Sequence, residues 1–209
     1  MTVEGEKSLK EMAREERVDL AAFLKALTPE EWVAPSLCDG WSIKDVVAHI
    51  VSYEELGPFG LIKRFLKGGV VRANEVGVKE FASLSPPELL DFLNSHLEPH
   101  GLTAGFGGMI GLVDGTIHHQ DIRRALGRPR VVPVDRLRRI LPLIPSNPRL
   151  GAGKRIRGLQ LVATDVDWTH GTGPKVTGAG EALLMAMSGR RAVIGELTGP
   201  GLKTLARRL

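Results

Sequence analysis

The chain of 209 residues carries a single cysteine, Cys38. That excludes an internal disulfide framework and any cysteine-rich zinc site. No apolar run approaches the roughly 18–20 residues of a membrane span, so no membrane partner is expected. The opening MTVEGEKSLKEMAREERVDL has acids from its fourth residue and no apolar centre, so it does not read as a secretory signal. The expectation is a cytoplasmic protein. Charge of one sign is also scarce: 28 basic against 24 acidic residues leave +4, too little to demand an acidic partner.

What is present is ordinary for a folded domain, at 43% hydrophobic and 25% charged residues. Gly at 25 and Pro at 13 predict several loop-rich joints. The length suits one large domain, or one domain with a small appendage. The basic residues are uneven. From Ile122 to Thr164 eleven Lys and Arg meet one acid, Asp135. That stretch reads as a solvated basic surface or as one that steers anions. No RNA-binding aromatic signature or zinc-finger spacing supports nucleic acid as the partner.

The first two-thirds read mostly as helix. Residues 8–27 place Leu9, Met12, Leu20, Phe23, Leu24 and Leu27 close to a helical stripe. Thr28-Pro29-Glu30-Glu31 opens a short turn carrying Trp32, and Ser42-Ile43-Lys44-Asp45 is a capping box that opens a helix to about Glu54. On it Val46, His49, Ile50 and Tyr53 share one face, so His49 points toward a core. Further helices are expected over 59–67, from Ser85 to about His96, over Met109–Leu126 and, short and basic, over Val134–Leu143. Gly111 and Gly115 each cost about 1 kcal/mol against Ala inside a helix, and suggest close approach of another helix. Past Pro148, residues 159–168 alternate as a strand, Thr169 to Gly173 reads as a hairpin connection and Lys175-Val176-Thr177 as a short partner strand. Helices over Ala179–Ser188 and Leu202–Leu209 complete the reading. The fold class is mainly α: a helical bundle over 1–148, then a small α/β unit over 149–209.

Asp114 and His118 stand four apart and project from one helix face, where they could chelate a single cation. His49, on another inward-facing helix, could supply a third ligand and leave positions open for water, thiolate or substrate. On spacing alone a helix-stabilising pair and a hydrogen-bonded core histidine explain the same residues. Asp45 is the capping-box acid or a partner one turn from His49. Asp121, Arg123 and Arg124 form an ordinary solvated helix end or a carboxylate-binding group. Trp32 and Trp41 read as packing residues that fix the path of the loop between them. Cys38, a loop cysteine with no neighbouring base in sequence, reads as inert. Asp165, Asp167 and His170 form a second acid and histidine cluster, read as a solvated strand edge.

Three segments carry a resemblance. Trp32-Val33-Ala34-Pro35-Ser36-Leu37-Cys38-Asp39-Gly40-Trp41-Ser42-Ile43-Lys44-Asp45-Val46-Val47-Ala48-His49 resembles the signature of the mycothiol-dependent maleylpyruvate isomerase family. His118-His119-Gln120-Asp121-Ile122-Arg123-Arg124-Ala125-Leu126-Gly127 resembles that family's later segment, and Gly178 to Arg190 its small C-terminal unit. The resemblance implies a DinB-like four-helix bundle in which His49, Asp114 and His118 hold a divalent metal. Zinc is the expected ion, with nickel or iron as alternatives. Where the family usually has Glu, this chain has the shorter Asp114. His119 would point about 100° away from His118 on the helix, toward the surface or behind the ligands. Asp45 and Asp121 would support the ligands, and Arg123 and Arg124 would bind a carboxylate of thiol or substrate.

The implied chemistry is addition of a low-molecular-weight thiol, mycothiol or a similar one, to a small electrophile, followed by isomerisation or release as a transferase product. No residue is assigned as a nucleophile. The alternatives are a metal-binding or ligand-sensing bundle without catalysis, and a basic nucleic-acid-associated protein. A homodimer is compatible with each.

Overall fold

The computed structural model describes residues 6–209. The chain divides into two compact units, Met1–Pro129 and Arg130–Leu209. The sequence reading set its joint at 148, where composition changes; the helix over Val134–Ile140 falls in the second of these units.

The first unit contains α1 (Leu9–Leu24), α2 (Pro29–Val33), α3 (Ile43–Val51), α4 (Pro58–Phe65), α5 (Gly69–Glu80), α6 (Pro86–Ser95) and α7 (Met109–Ala125). The bundle consists of α1, α3, α6 and α7, with α1 and α3 each packed on both α6 and α7. Ser8, Thr28, Ser42 and Ser85 each open a helix in a reciprocal capping box with the acid three residues on. Between the helices lie Leu20, Leu24, Ile43, Val46, Ile50, Leu89, Leu93 and Ile122, all buried. Each such aliphatic side chain stabilises the fold by about 1.5–3 kcal/mol. A Cβ on Gly115 would sit 3.5 Å from Glu16 Cγ of α1, so this glycine does mark a close helix pair. Gly111 differs: its neighbours are the Thr103 carbonyl and Pro99, in a loop.

Helix α5 departs from the sequence reading, which expected no helix between residue 67 and Ser85. Gly68, at φ 137°, turns the chain and a new helix starts at once. It packs on α3 and α4. Gly77 is the reason the approach can be close: a Cβ there would lie 2.3 Å from Ser52 Oγ and 3.0 Å from an Arg64 guanidinium nitrogen. Gly77→Ala is therefore expected to destabilise by about 1–3 kcal/mol through overpacking, although Ala is intrinsically the better helix former. A thermal melt at or above the parent's would show that Ser52 and Arg64 yield freely. Arg64 itself is turned inward on α4, donating to the Ser52 carbonyl at 2.8 Å and pairing with Glu80.

A polar network is buried where α1 meets the chain beyond α3. Arg17 donates to Glu54 at 2.6 Å, to Thr103 at 3.0 Å and to the His96 carbonyl at 2.6 Å. Glu54 also accepts from Thr103 at 2.6 Å and from the His100 amide at 2.9 Å. Every partner fastens the glycine-rich connection between α6 and α7 to the bundle.

The second unit contains α8 (Val134–Ile140), α9 (Ala152–Ile156), β1 (Gln160–Ala163), β2 (Thr169–His170), β3 (Lys175–Gly178), α10 (Gly180–Met187) and α11 (Leu202–Ala206). The sheet order is β2-β1-β3. Leu161 pairs antiparallel with His170 and parallel with Val176. The strand expected over 159–168 is thus cut to four residues, and Thr169-His170, expected in the connection, is its hairpin partner. Asp165 lies in the turn and accepts the Gly180 amide at the start of α10 at 2.7 Å, so it is not part of a strand edge with Asp167. Helix α10 is buried along its whole length. Part of the basic stretch is consumed here as well. Arg155 donates to the carbonyls of Leu150 and Met187, and Arg208, from beyond the stretch, caps the carbonyls of Arg155 and Arg157. No helix among the described residues is long and apolar enough to cross a membrane.

Candidate metal centre

The capping box at Ser42 sets the phase of α3. Ser42 donates to Asp45 through its amide at 2.9 Å and its hydroxyl at 2.6 Å. The Asp45 carboxylate is thereby committed to the helix start rather than to His49. One turn later His49 enters the bundle, 4% exposed. Trp41 lies against its ring at 5.1 Å between centroids, and Tyr53 meets it edge-on at 6.1 Å. Its Nδ1 is buried without a hydrogen-bond partner.

Across from it, α7 presents Asp114 and His118. Asp114 lies 3.6 Å from His49 Nε2 through one carboxylate oxygen and 3.5 Å from His118 Nε2 through the other. The two imidazoles stand perpendicular, 4.8 Å apart. His49, Asp114 and His118 each offer one ligand atom within 4.8 Å of the others. The Asp114 side chain is 37% exposed, so the set opens to solvent on that side. Two imidazoles and a carboxylate in this compass suit a divalent first-row ion.

Burial opposes charge on both α7 residues, and each reverses it for the other. Burial alone would raise the Asp114 carboxyl, but the His118 and His49 imidazoles beside it hold it well below the usual carboxylate range. Burial alone would lower His118, but the Asp114 charge, with hydrogen bonds to Asp114, Asp121 and Cys38, lifts it well above the ordinary histidine value.

Behind His118, Asp121 completes the arrangement from the next turn of α7. Its Oδ2 accepts from His118 Nδ1 at 2.9 Å, which aims Nε2 at Asp114. Asp121 is fully buried. It is therefore not part of a solvated helix end. The same oxygen accepts from the Cys38 thiol at 3.1 Å, and Cys38 Sγ lies 3.6 Å from His118 Nδ1. The loop reaches α7 because the Leu37 amide donates to the Asp121 carbonyl at 3.4 Å, while Ser36 and Trp41 close the turn around Cys38. The expectation of an isolated Cys38 is corrected: tertiary structure supplies neighbours that the local sequence lacks.

Arg123 and Arg124 lie in the last turn of α7. Arg123 lies over the Phe23 ring at 4.1 Å, alongside Arg128 at 5.0 Å, and Arg124 is half-buried about 120° round the helix from His118. His119 is not at the surface; it is fully buried and its Nδ1 pairs with Glu16 of α1 at 2.7 Å. That buried pair, and the Arg17–Glu54 pair, were missed because each joins α1 to a segment distant in the chain. Of the two local signals for a supporting carboxylate, the i, i+3 step from His118 to Asp121 is the one that meets its histidine.

Residues 13–98 match the family model described as the mycothiol maleylpyruvate isomerase N-terminal domain. Two solved structures resemble the chain over 96% of its length and 96% of theirs at 14% identity. One is the mycothiol-dependent maleylpyruvate isomerase, TM-score 0.58, and the other a histidine-to-alanine variant of that enzyme, TM-score 0.59. No curated protein matches. The chain resembles this isomerase family in sequence over residues 13–98 and shares the isomerase's fold over nearly its full length. Asp114 and His118 lie beyond the matched residues, on α7.

Proposed function

We propose that the protein is a divalent-metal-dependent enzyme that adds a low-molecular-weight thiol of the mycothiol type to a small electrophile, in isomerisation or thiol transfer. The observation that carries this reading is the convergence of His49, Asp114 and His118 from two helices on one partly open point. The donor set fits such an ion: three O and N ligands leave positions for exchangeable ones, as a catalytic rather than a structural site requires. Zinc is the proposed ion, with nickel or iron equally suited by donor type. When bound, the ion supplies a lowered thiol pKa and a seat for the thiolate.

The chain's own residues prepare this chemistry. Asp121 holds the proton on His118 Nδ1, leaving Nε2 as the ligand atom. Trp41 and Tyr53 confine the His49 ring. Asp114 stays ionised far into acid and so keeps a carboxylate at the open side. It reaches one methylene less far than glutamate would, so Asp114→Glu tests whether the longer reach improves metal retention.

Metal content of the purified protein, read by mass spectrometry beside thiol consumption with an activated alkene, tests the proposal. About one ion per chain with thiol turnover supports it. A bound ion without turnover favours a binding or sensing module, and an empty parent that refuses added zinc and nickel overturns the metal reading altogether.

Two further outcomes follow from the electrostatics. Asp121→Asn is expected to weaken metal affinity about 10–100-fold, the usual cost of losing a partner behind a histidine ligand. Acid should weaken it too. His118 holds a proton in the metal-free protein throughout the range below its raised pKa, and the ion must displace that proton. Affinity should therefore fall roughly tenfold per pH unit while one proton is displaced. Calorimetric titration at a series of pH values from neutral downward reads the slope, and a flat profile would contradict a protonated His118.

A further inference from the structure

His118 has two ring nitrogens, and each lies within a separate group of donors. Nε2 faces Asp114 and His49. Nδ1 faces Cys38 and Asp121, and these three also offer ligand atoms within 4.8 Å of one another. Their separations are 2.9 Å for Nδ1 to Asp121, 3.1 Å for Cys38 to Asp121 and 3.6 Å for Cys38 to Nδ1. An ion with bonds of about 2.0–2.3 Å to N, O and S in tetrahedral array holds such atoms about 3.3–3.6 Å apart. The group needs to spread by only a few tenths of an ångström. Cys38 is partly exposed, and its sulfur is what the first donor set lacks.

We propose that Cys38, His118 Nδ1 and Asp121 form a second cation position, selective for thiophilic ions, whose occupancy withdraws His118 from the His49–Asp114 side. Softness sets the selectivity: a thiolate favours copper(I) and heavy soft ions such as cadmium over the harder divalent ions. Binding replaces two protons, one on the thiol and one on Nδ1, and both leave to solvent. The exclusion is a matter of lone pairs. A neutral imidazole offers one, so an ion on Nδ1 leaves the proton on Nε2. Nε2 then donates toward Asp114 instead of ligating. A thiophilic ion would thus silence the first position without touching His49.

The selectivity does not depend on the enzymatic reading; the withdrawal of His118 rests on the first donor set. Cadmium is the probe, because a single cysteine makes any thiolate-to-metal charge-transfer absorption attributable to Cys38. Titrating the metal-free protein should raise that ultraviolet band to a plateau near one ion per chain. The band should persist in His49→Ala, vanish in Cys38→Ser and need at least tenfold more cadmium in Asp121→Asn. The serine variant changes one atom, so its fold should survive, which circular dichroism checks. Absence of the band in the parent overturns the proposal. So does a band undiminished in both Asp121→Asn and His118→Gln, which would report a thiol acting alone. Zinc retention that ignores His49→Ala would instead refute the first position, while the sulfur band still decides the second.

Discussion

Replacing His118 with alanine is expected to reduce retained divalent metal from about one ion per chain to background. The loss should exceed the roughly 10–100-fold typical of outer partners, because a ligand and a chelate ring with Asp114 disappear together. His49→Ala should do the same from the other helix. The two variants differ in what they leave behind. Without His118, the fully buried Asp121 loses an acceptor bond of 2.9 Å, at a cost of about 1–3 kcal/mol in stability. His118→Gln, which keeps a donor near Asp121, separates that cost from the metal effect. Mass spectrometry for metal and thermal melts for stability read both. Retention of a full equivalent of metal by His49→Ala and His118→Ala alike would refute the assigned ligands.

The largest effect on stability is expected at the Arg17–Glu54 pair. Both side chains are essentially inaccessible, so removing one partner leaves the other charged and buried. Arg17→Met and Glu54→Ala should each destabilise by about 3–5 kcal/mol. Arg17→Met should lie toward the lower figure, because Glu54 keeps Thr103 and the His100 amide as donors. The double variant should cost less than the sum of the two. Denaturant melts in a double-mutant cycle measure the coupling. Additive losses would mean that the two groups do not act on each other, and that the connection between α6 and α7 is held by other contacts.

Much of the bundle was legible because its signals are local. Ser42 with Asp45 and Ser85 with Glu88 announce helix starts through hydrogen bonds that span three residues. Val46, His49 and Ile50 declare an inward face by spacing alone. Gly127 ends α7 for equally local reasons. Helix α5 was hidden because Gly68, Gly69 and Gly77 all argue against a helix, and its reason to form lies in Ser52 and Arg64, far along the chain. The parallel pairing of β1 with β3 was hidden likewise, since hairpin logic favours neighbours in sequence.

The same division runs through the candidate site. Sequence by itself determined the inward face of His49, the shared face of Asp114 and His118, and the step to Asp121, because helical periodicity converts spacing into direction. Tertiary structure alone decided that α3 and α7 bring those faces within a few ångströms, and that the loop after α2 carries Cys38 to the far nitrogen of His118. It also decided that Arg123 turns to Phe23 and His119 to Glu16. Each of these is a contact between segments distant in the chain, chosen by what the whole core can bury and pair rather than by any local pattern.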